Sequence, residues 1–125
     1  MRVAVYGTLR GGQPNWRHYL RGRSEYVGKY RVAGFELRAP NPYSFPFALT
    51  GDGEITVDVF EVGADVLKDL DRLEGYPRMY NRKAVEIGGA DAWIYFSENE
   101  GHRTLNLIDS GDWLSYKKEY PYENA

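Results

Sequence analysis

Residues 66–74 carry the clearest helical period in this chain, and strand-forming segments lie on both sides of it. Val66, Leu67, Leu70 and Leu73 fall on one face, and Asp65 stands where an N-cap belongs. Gly75 ends the segment and Pro77 follows, a normal helix stop. Before this helix, residues 2–6 read as a short buried strand ending at Gly7. A glycine-bearing loop follows through Asn15, the expected N-cap of a short helix containing Trp16 and Leu20. Residues 25–38 read as one or two strands bending near Gly34, and Pro40, Pro42 and Pro46 exclude regular structure over 39–46. Residues 47–50 and 54–62 suggest a hairpin around Gly51-Asp52-Gly53, and 82–88 and 91–97 a second around Gly88-Gly89. In the tail, 104–125, Ser110-Gly111-Asp112-Trp113 reads as a turn that plants a tryptophan. Strands joined mostly by turns around one main helix predict an α+β fold. The expected form is a small mixed or antiparallel β-barrel of about six strands flanked by two helices.

With 125 residues and no repeat, linker or low-complexity stretch, the chain is expected to form one domain over 1–125. The absence of cysteine excludes thiol catalysis, iron–sulfur clusters and thiolate zinc sites. His18 and His102 stand alone, outside any two-histidine metal spacing; no metal is expected, and both are read as surface residues. The net charge of -2 comes without a basic run, so no nucleic-acid partner is expected. No apolar run reaches membrane-spanning length and the start lacks a signal-peptide core, so the expected location is the cytoplasm.

The most informative single residue is Glu74. On an ideal helix it lies nearly in line with Leu67 and about 40° from Leu70, on the inward face. It also sits at the helix C-terminus, where the macrodipole disfavours negative charge by a few tenths to ~1 kcal/mol. Both effects raise a carboxyl's pKa and make it a better base near neutrality. The competing reading is that the helix ends one residue early and Glu74 points to water. Asp71 flanks the same face and reads as a solvated or turn-binding carboxylate. Tyr6-Gly7-Thr8-Leu9, directly after the first strand, is a candidate anion cradle of backbone N–H groups; the other reading is a plain turn. It lacks the lysine and Ser/Thr of a nucleotide loop.

Together these segments resemble the γ-glutamylcyclotransferase-like superfamily, in particular γ-glutamylamine cyclotransferases and AIG2-like proteins. The resemblance is carried by Val5-Tyr6-Gly7-Thr8-Leu9-Arg10, by Gly12-Gln13-Pro14-Asn15, and by Leu70 to Pro77 with Tyr80 and Arg82. It implies a small β-barrel flanked by helices. It also implies a loop, Tyr6, Gly7, Thr8 and Leu9, that binds a glutamyl group, and Glu74 as general base. The implied reaction releases 5-oxoproline and an amine or amino acid from a γ-glutamyl compound, without a cofactor. A ligand-binding protein of the same fold is the alternative. Val57-Asp58 stands where the family often has glycine–glutamate, which touches the pocket wall rather than the base. Arg10, Tyr80 and Tyr95 are possible pocket residues, the two tyrosines having core or rim packing as their other reading. Arg82 is expected to pair with a carboxylate of the fold, and Trp16, Trp93 and Trp113 to be core anchors.

Overall fold

The first strand, β1 (Arg2–Val5), explains the layout. Val3, Ala4 and Val5 are all buried, because both faces of this strand are covered. Ala4 joins a cluster with Val57, Val59, Ile94 and Phe96 on the concave side. Val3 and Val5 join Phe60, Val66, Leu67 and Leu70 on the other, under a helix. The alternation is the period-two pattern of a strand read from two cores at once.

In the computed structural model, which describes residues 1–119, the order is β1, α1 (Pro14–Tyr19), β2 (Glu25–Ala39) and β3 (Phe47–Glu61). Then come α2 (Ala64–Glu74), β4 (Asn81–Ile87), β5 (Ala90–Phe96), a 3-10 turn (Glu100–Thr104), β6 (Asn106–Leu107) and α3 (Trp113–Glu119). The six strands form one mixed sheet in the order β4-β5-β1-β3-β2-β6, curled into a half-barrel. Only the β1–β5 pairing is parallel among these strands. The α+β class, the six strands and the curled sheet agree with the sequence reading, but the helices number three rather than two. The extra one is α3. Asp112 Oδ1 accepts from the N–H groups of Leu114 at 3.1 Å and Ser115 at 3.4 Å and starts it, and Trp113 is buried in the core as expected. Trp16 and Trp93 are only half-buried, so they are not core anchors of the same kind.

The expected hairpin at Gly51-Asp52-Gly53 does not exist. β3 is one strand of 15 residues, paired with β2 on both sides of that segment. The register passes from Ala33↔Glu54 to Phe35↔Thr50, so residues 51–53 bulge opposite Gly34, whose φ is 94°. A Cβ on Gly53 would lie 3.0 Å from the Phe35 carbonyl oxygen, which suits glycine to the bulge. The true turn between these strands is the proline segment 40–46. Two caps also differ. Gln13, not Asn15, precedes α1, with Pro14 at the first helical position; Gly63, not Asp65, precedes α2, and Asp65 lies in its first turn. At the other end Gly75 is left-handed (φ 63°, ψ 34°) and closes α2 as expected. Gly88 and Gly89, with φ of 60° and 86°, make the two-residue turn between β4 and β5. Residues 120–125 of the expected tail lie outside the described residues.

Candidate active site

Four pieces of chain meet at one cavity of about 790 Å³. They are the loop after β1 with Asn15, the C-terminal end of α2 with the turn beyond it, the end of β5 with the residues that follow it as far as His102, and the segment entering β3. Tyr6, Gly7, Thr8, Leu9, Glu74, Tyr80 and Tyr95 all line it. The sheet brings the first loop and β5 together because β1 runs beside β5. Packing of Leu67 and Leu70 against Val3, Val5 and Phe60 sets the C-terminus of α2 over the same place.

Glu74 is the last residue of α2. It has neither an ion-pair nor a hydrogen-bond partner among the described residues. Burial pushes its carboxyl up to about 7. Its charge reaches three phenols. Tyr6 and Tyr80 are raised first by burial and further by nearby charge, Glu74 included. Tyr95 is raised by burial, by its bond to Asp71 and, more weakly, by Glu74. All three therefore stay protonated near neutrality.

Asp71, one turn earlier on α2, has the opposite surroundings. Arg82 binds it through Nε to Oδ1 at 2.8 Å and Nη2 to Oδ2 at 3.2 Å, as the sequence led one to expect for Arg82. Tyr95 donates its hydroxyl to Asp71 Oδ1 at 2.6 Å, and Tyr6 donates to the Tyr95 carbonyl at 2.8 Å. The guanidinium of Arg82 also lies over Trp93 and Tyr76, at 4.2 and 4.5 Å from their ring centroids. Of the two carboxylates on this part of α2, one is neutralised by a fixed arginine and used to hold a tyrosine. The other is left bare in a cavity, where it can accept and release a proton.

The first loop is held from behind. Thr8 O accepts from the N–H groups of Asn15 at 3.1 Å and Trp16 at 3.2 Å, and Asn15 Nδ2 donates to Thr8 Oγ1 at 2.8 Å. The side chain expected to cap α1 thus braces the loop instead. No described residue accepts from the N–H groups of Gly7, Thr8 or Leu9. Consecutive free N–H groups at a cavity wall can bind an anion or a developing oxyanion. Gly7 is favoured by close approach rather than by φ. A Cβ there would meet Pro46 Cδ at 3.0 Å and Cγ at 3.2 Å.

A family model described as gamma-glutamyl cyclotransferase, AIG2-like, matches residues 3–115. This chain belongs to that family. A provisionally named γ-glutamylcyclotransferase of Vibrio cholerae is 36% identical over 115 residues, covering 89% of this chain and 93% of the relative. The γ-glutamylcyclotransferase family protein YtfP of Escherichia coli is 30% identical over 118 residues, covering 94% of this chain and all of the relative. Among solved structures, an uncharacterized protein of Pyrococcus horikoshii superposes with a TM-score of 0.81 at 26% identity, covering 100% of this chain and 99% of the other.

Arg10, a possible pocket residue by sequence, does not line the cavity of this family member. It is buried, with Nε 3.3 Å from Asp58 Oδ2 and Nη1 2.8 Å from Asp112 Oδ1. Gly11 N–H also donates to Asp58 Oδ2, at 3.1 Å. The aspartate that departs from the family pattern is thus a partner for Arg10, which ties the first loop to β3 through Asp58 and to the start of α3 through Asp112. His102, read as a surface residue, lines the cavity, whereas His18 is exposed. Asn15, Pro46 and Phe47 also line it. Nothing local marks Pro46, Phe47 and His102 as cavity residues, since β3 and the 3-10 turn reach the site only through sheet pairing. Among the described residues no group of three His, Asp or Glu side chains is placed to hold a metal ion, and no helix is long and apolar enough to cross a membrane.

Proposed function

We propose that this protein is a γ-glutamyl cyclotransferase in which Glu74 is the general acid and base. One observation carries the reading: a carboxylate without a partner among the described residues, raised to about 7, shares a cavity with Gly7, Thr8 and Leu9, whose N–H groups no described residue accepts from. The substrate is a γ-glutamyl compound with a free α-amine. Glu74 takes a proton from the α-ammonium, and the neutral nitrogen attacks the γ-amide carbonyl to close a five-membered ring. Glu74 then delivers a proton to the nitrogen of the departing amine as its bond to the carbonyl carbon breaks. Two protons leave the α-nitrogen and two reach the leaving nitrogen, so Glu74 ends as it began. The products are 5-oxoproline and a protonated amine.

A carboxyl near 7 is matched to this task, because near neutrality it is present in both forms, ionised enough to take a proton and basic enough to hold it in transit. The loop N–H groups serve the substrate carboxylate or the oxyanion of the tetrahedral intermediate. The reaction needs nitrogen and carbonyl held within about 3–3.5 Å, the task this reading gives to the cavity. The test is a mass-spectrometric screen of γ-glutamyl compounds for 5-oxoproline. Its release with an equal amount of amine supports the assignment. Free glutamate as product would mean hydrolysis, and retention of a γ-glutamyl compound without turnover would make the protein a binding module.

A further inference from the structure

The turn after β5 brings a histidine to the same cavity in a defined protonation form. Asn99 N–H donates to Ser97 Oγ at 3.1 Å, Gly101 N–H to Asn99 Oδ1 at 2.9 Å, and His102 N–H to Asn99 O at 3.0 Å. Ser97 is 3% exposed, and its Oγ lies 2.6 Å from His102 Nδ1. The direction of that bond follows from the donors available. Oγ already accepts from Asn99. Were Nδ1 to donate to it as well, the buried hydroxyl proton would have no acceptor, a costly arrangement. Ser97 therefore donates, Nδ1 accepts, and the proton of the neutral ring sits on Nε2. Phe47 stacks on the imidazole with centroids 3.8 Å apart and fixes its plane. Nε2 has no acceptor among the described residues, and His102 lines the cavity.

A ladder of rings links this donor to the surroundings of the base. Tyr80 feels the Glu74 charge directly. Phe47 stacks on Tyr80 with centroids 6.1 Å apart, and His102 stacks on Phe47. His102 is thus two rings beyond Tyr80 along the cavity wall. With the reacting carbonyl held near Glu74 and the glutamyl group on the first loop, what lies beyond is the amine half of the substrate. We propose that His102 donates a hydrogen bond from Nε2 to an oxygen on that amine half. The cavity then selects amine components that carry an acceptor oxygen over bare alkylamines. The placement of the two halves rests on the cyclotransferase reading; the ring's protonation form does not.

The experiment uses Glu74→Gln protein, which is expected to hold ligands without turning them over. Calorimetry compares γ-glutamylalanine, γ-glutamylalaninamide and γ-glutamyl isopropylamide, which differ in the acceptor oxygen and its charge. The two oxygen-bearing compounds are expected to bind roughly tenfold more tightly than the isopropylamide. Adding His102→Phe, which keeps a ring against Phe47, brings that ratio close to one. In parallel, nitrogen NMR of labelled wild-type protein at ~pH 8.5, above the ordinary imidazole range, should show the Nε2–H form, and Ser97→Ala should lose that preference. A ratio near one in the parent, a ratio untouched by His102→Phe, no binding of any of the three, or an Nδ1–H ring overturns the proposal. Release of 5-oxoproline by wild-type protein is scored separately. Its absence, with the binding ratio intact, rejects the cyclotransferase reading and leaves the role of His102 standing.

Discussion

Replacing Glu74 with Gln should stabilise the protein, and only where the carboxyl would be ionised. The carboxyl is moved from its ordinary 4.5 to about 7 by burial. Ionising it in the folded state therefore costs up to about 3 kcal/mol relative to the unfolded chain. Water entering the open cavity screens part of this, so about 1–3 kcal/mol is expected. The sign follows from proton binding. Below about 4.5 the carboxyl is protonated in both states and costs nothing. Between 4.5 and 7 the folded chain keeps a proton that the unfolded chain releases, so stability falls as pH rises; above 7 the full cost is present. Glutamine has the same size and no such dependence. Its advantage should therefore be small at about pH 4 and full at about pH 8, where it corresponds to a melting temperature higher by about 4–12 °C. Thermal and urea melts of both proteins at the two pH values read it. Every other titrating group is common to the pair, so the change in their difference isolates Glu74. An equal difference at both pH values, or a variant less stable at the higher one, would falsify the argument that burial holds this carboxyl up.

Three further outcomes are expected. Gly7→Ala should weaken binding of substrate or product at least tenfold while costing about 1–2 kcal/mol of stability, because the new Cβ would meet Pro46 at 3.0 Å and shift the loop; normal calorimetric affinity would make the loop a mere turn. Gly111→Ala should be the more damaging of the two to folding, by about 3 kcal/mol or more. Its φ is 68° and its Cβ would stand 2.0 Å from the Glu54 carbonyl oxygen, a backbone atom, so comparable melts for the two variants would count against it. An active γ-glutamyl substrate should lose all turnover when its α-amine is acetylated or its linkage is moved to the α-carbonyl. The tethered nucleophile, worth about 7–11 kcal/mol when well oriented, is then gone or misplaced; comparable cleavage of the acetylated compound would mean that water attacks.

The parts of the site that local patterns could show were those built from adjacent residues. The apolar face of α2 and its Gly75–Pro77 stop point Glu74 inward, with a helix ending one residue early as the other reading, and Gly7 after a buried strand makes the loop a candidate cradle or a plain turn. What stayed hidden depends on partners far along the chain. Arg10 looked available because nothing near it shows Asp58 and Asp112, which lie 48 and 102 positions on. Gly51-Asp52-Gly53 carries the same local signal for a tight turn as for a bulge. The choice is made by pairing with β2, which extends to Arg38↔Phe47 and leaves the prolines as the turn. His102 became a cavity residue only through the Ser97 bond and the Phe47 stack. Asn15 spent its side chain on Thr8 rather than on the helix it enters.

The account stands or falls with Glu74 as the group that moves the protons. Its most direct test is the rate of 5-oxoproline formation by Glu74→Gln protein, on a substrate that wild-type protein turns over. Folding of the variant is checked by melting and its site by binding of the same compound. The account predicts a fall of about 10²–10⁴-fold or more in turnover, the range of general acid–base catalysis, with folding intact and binding retained. A well-folded variant that forms 5-oxoproline at the wild-type rate would contradict it.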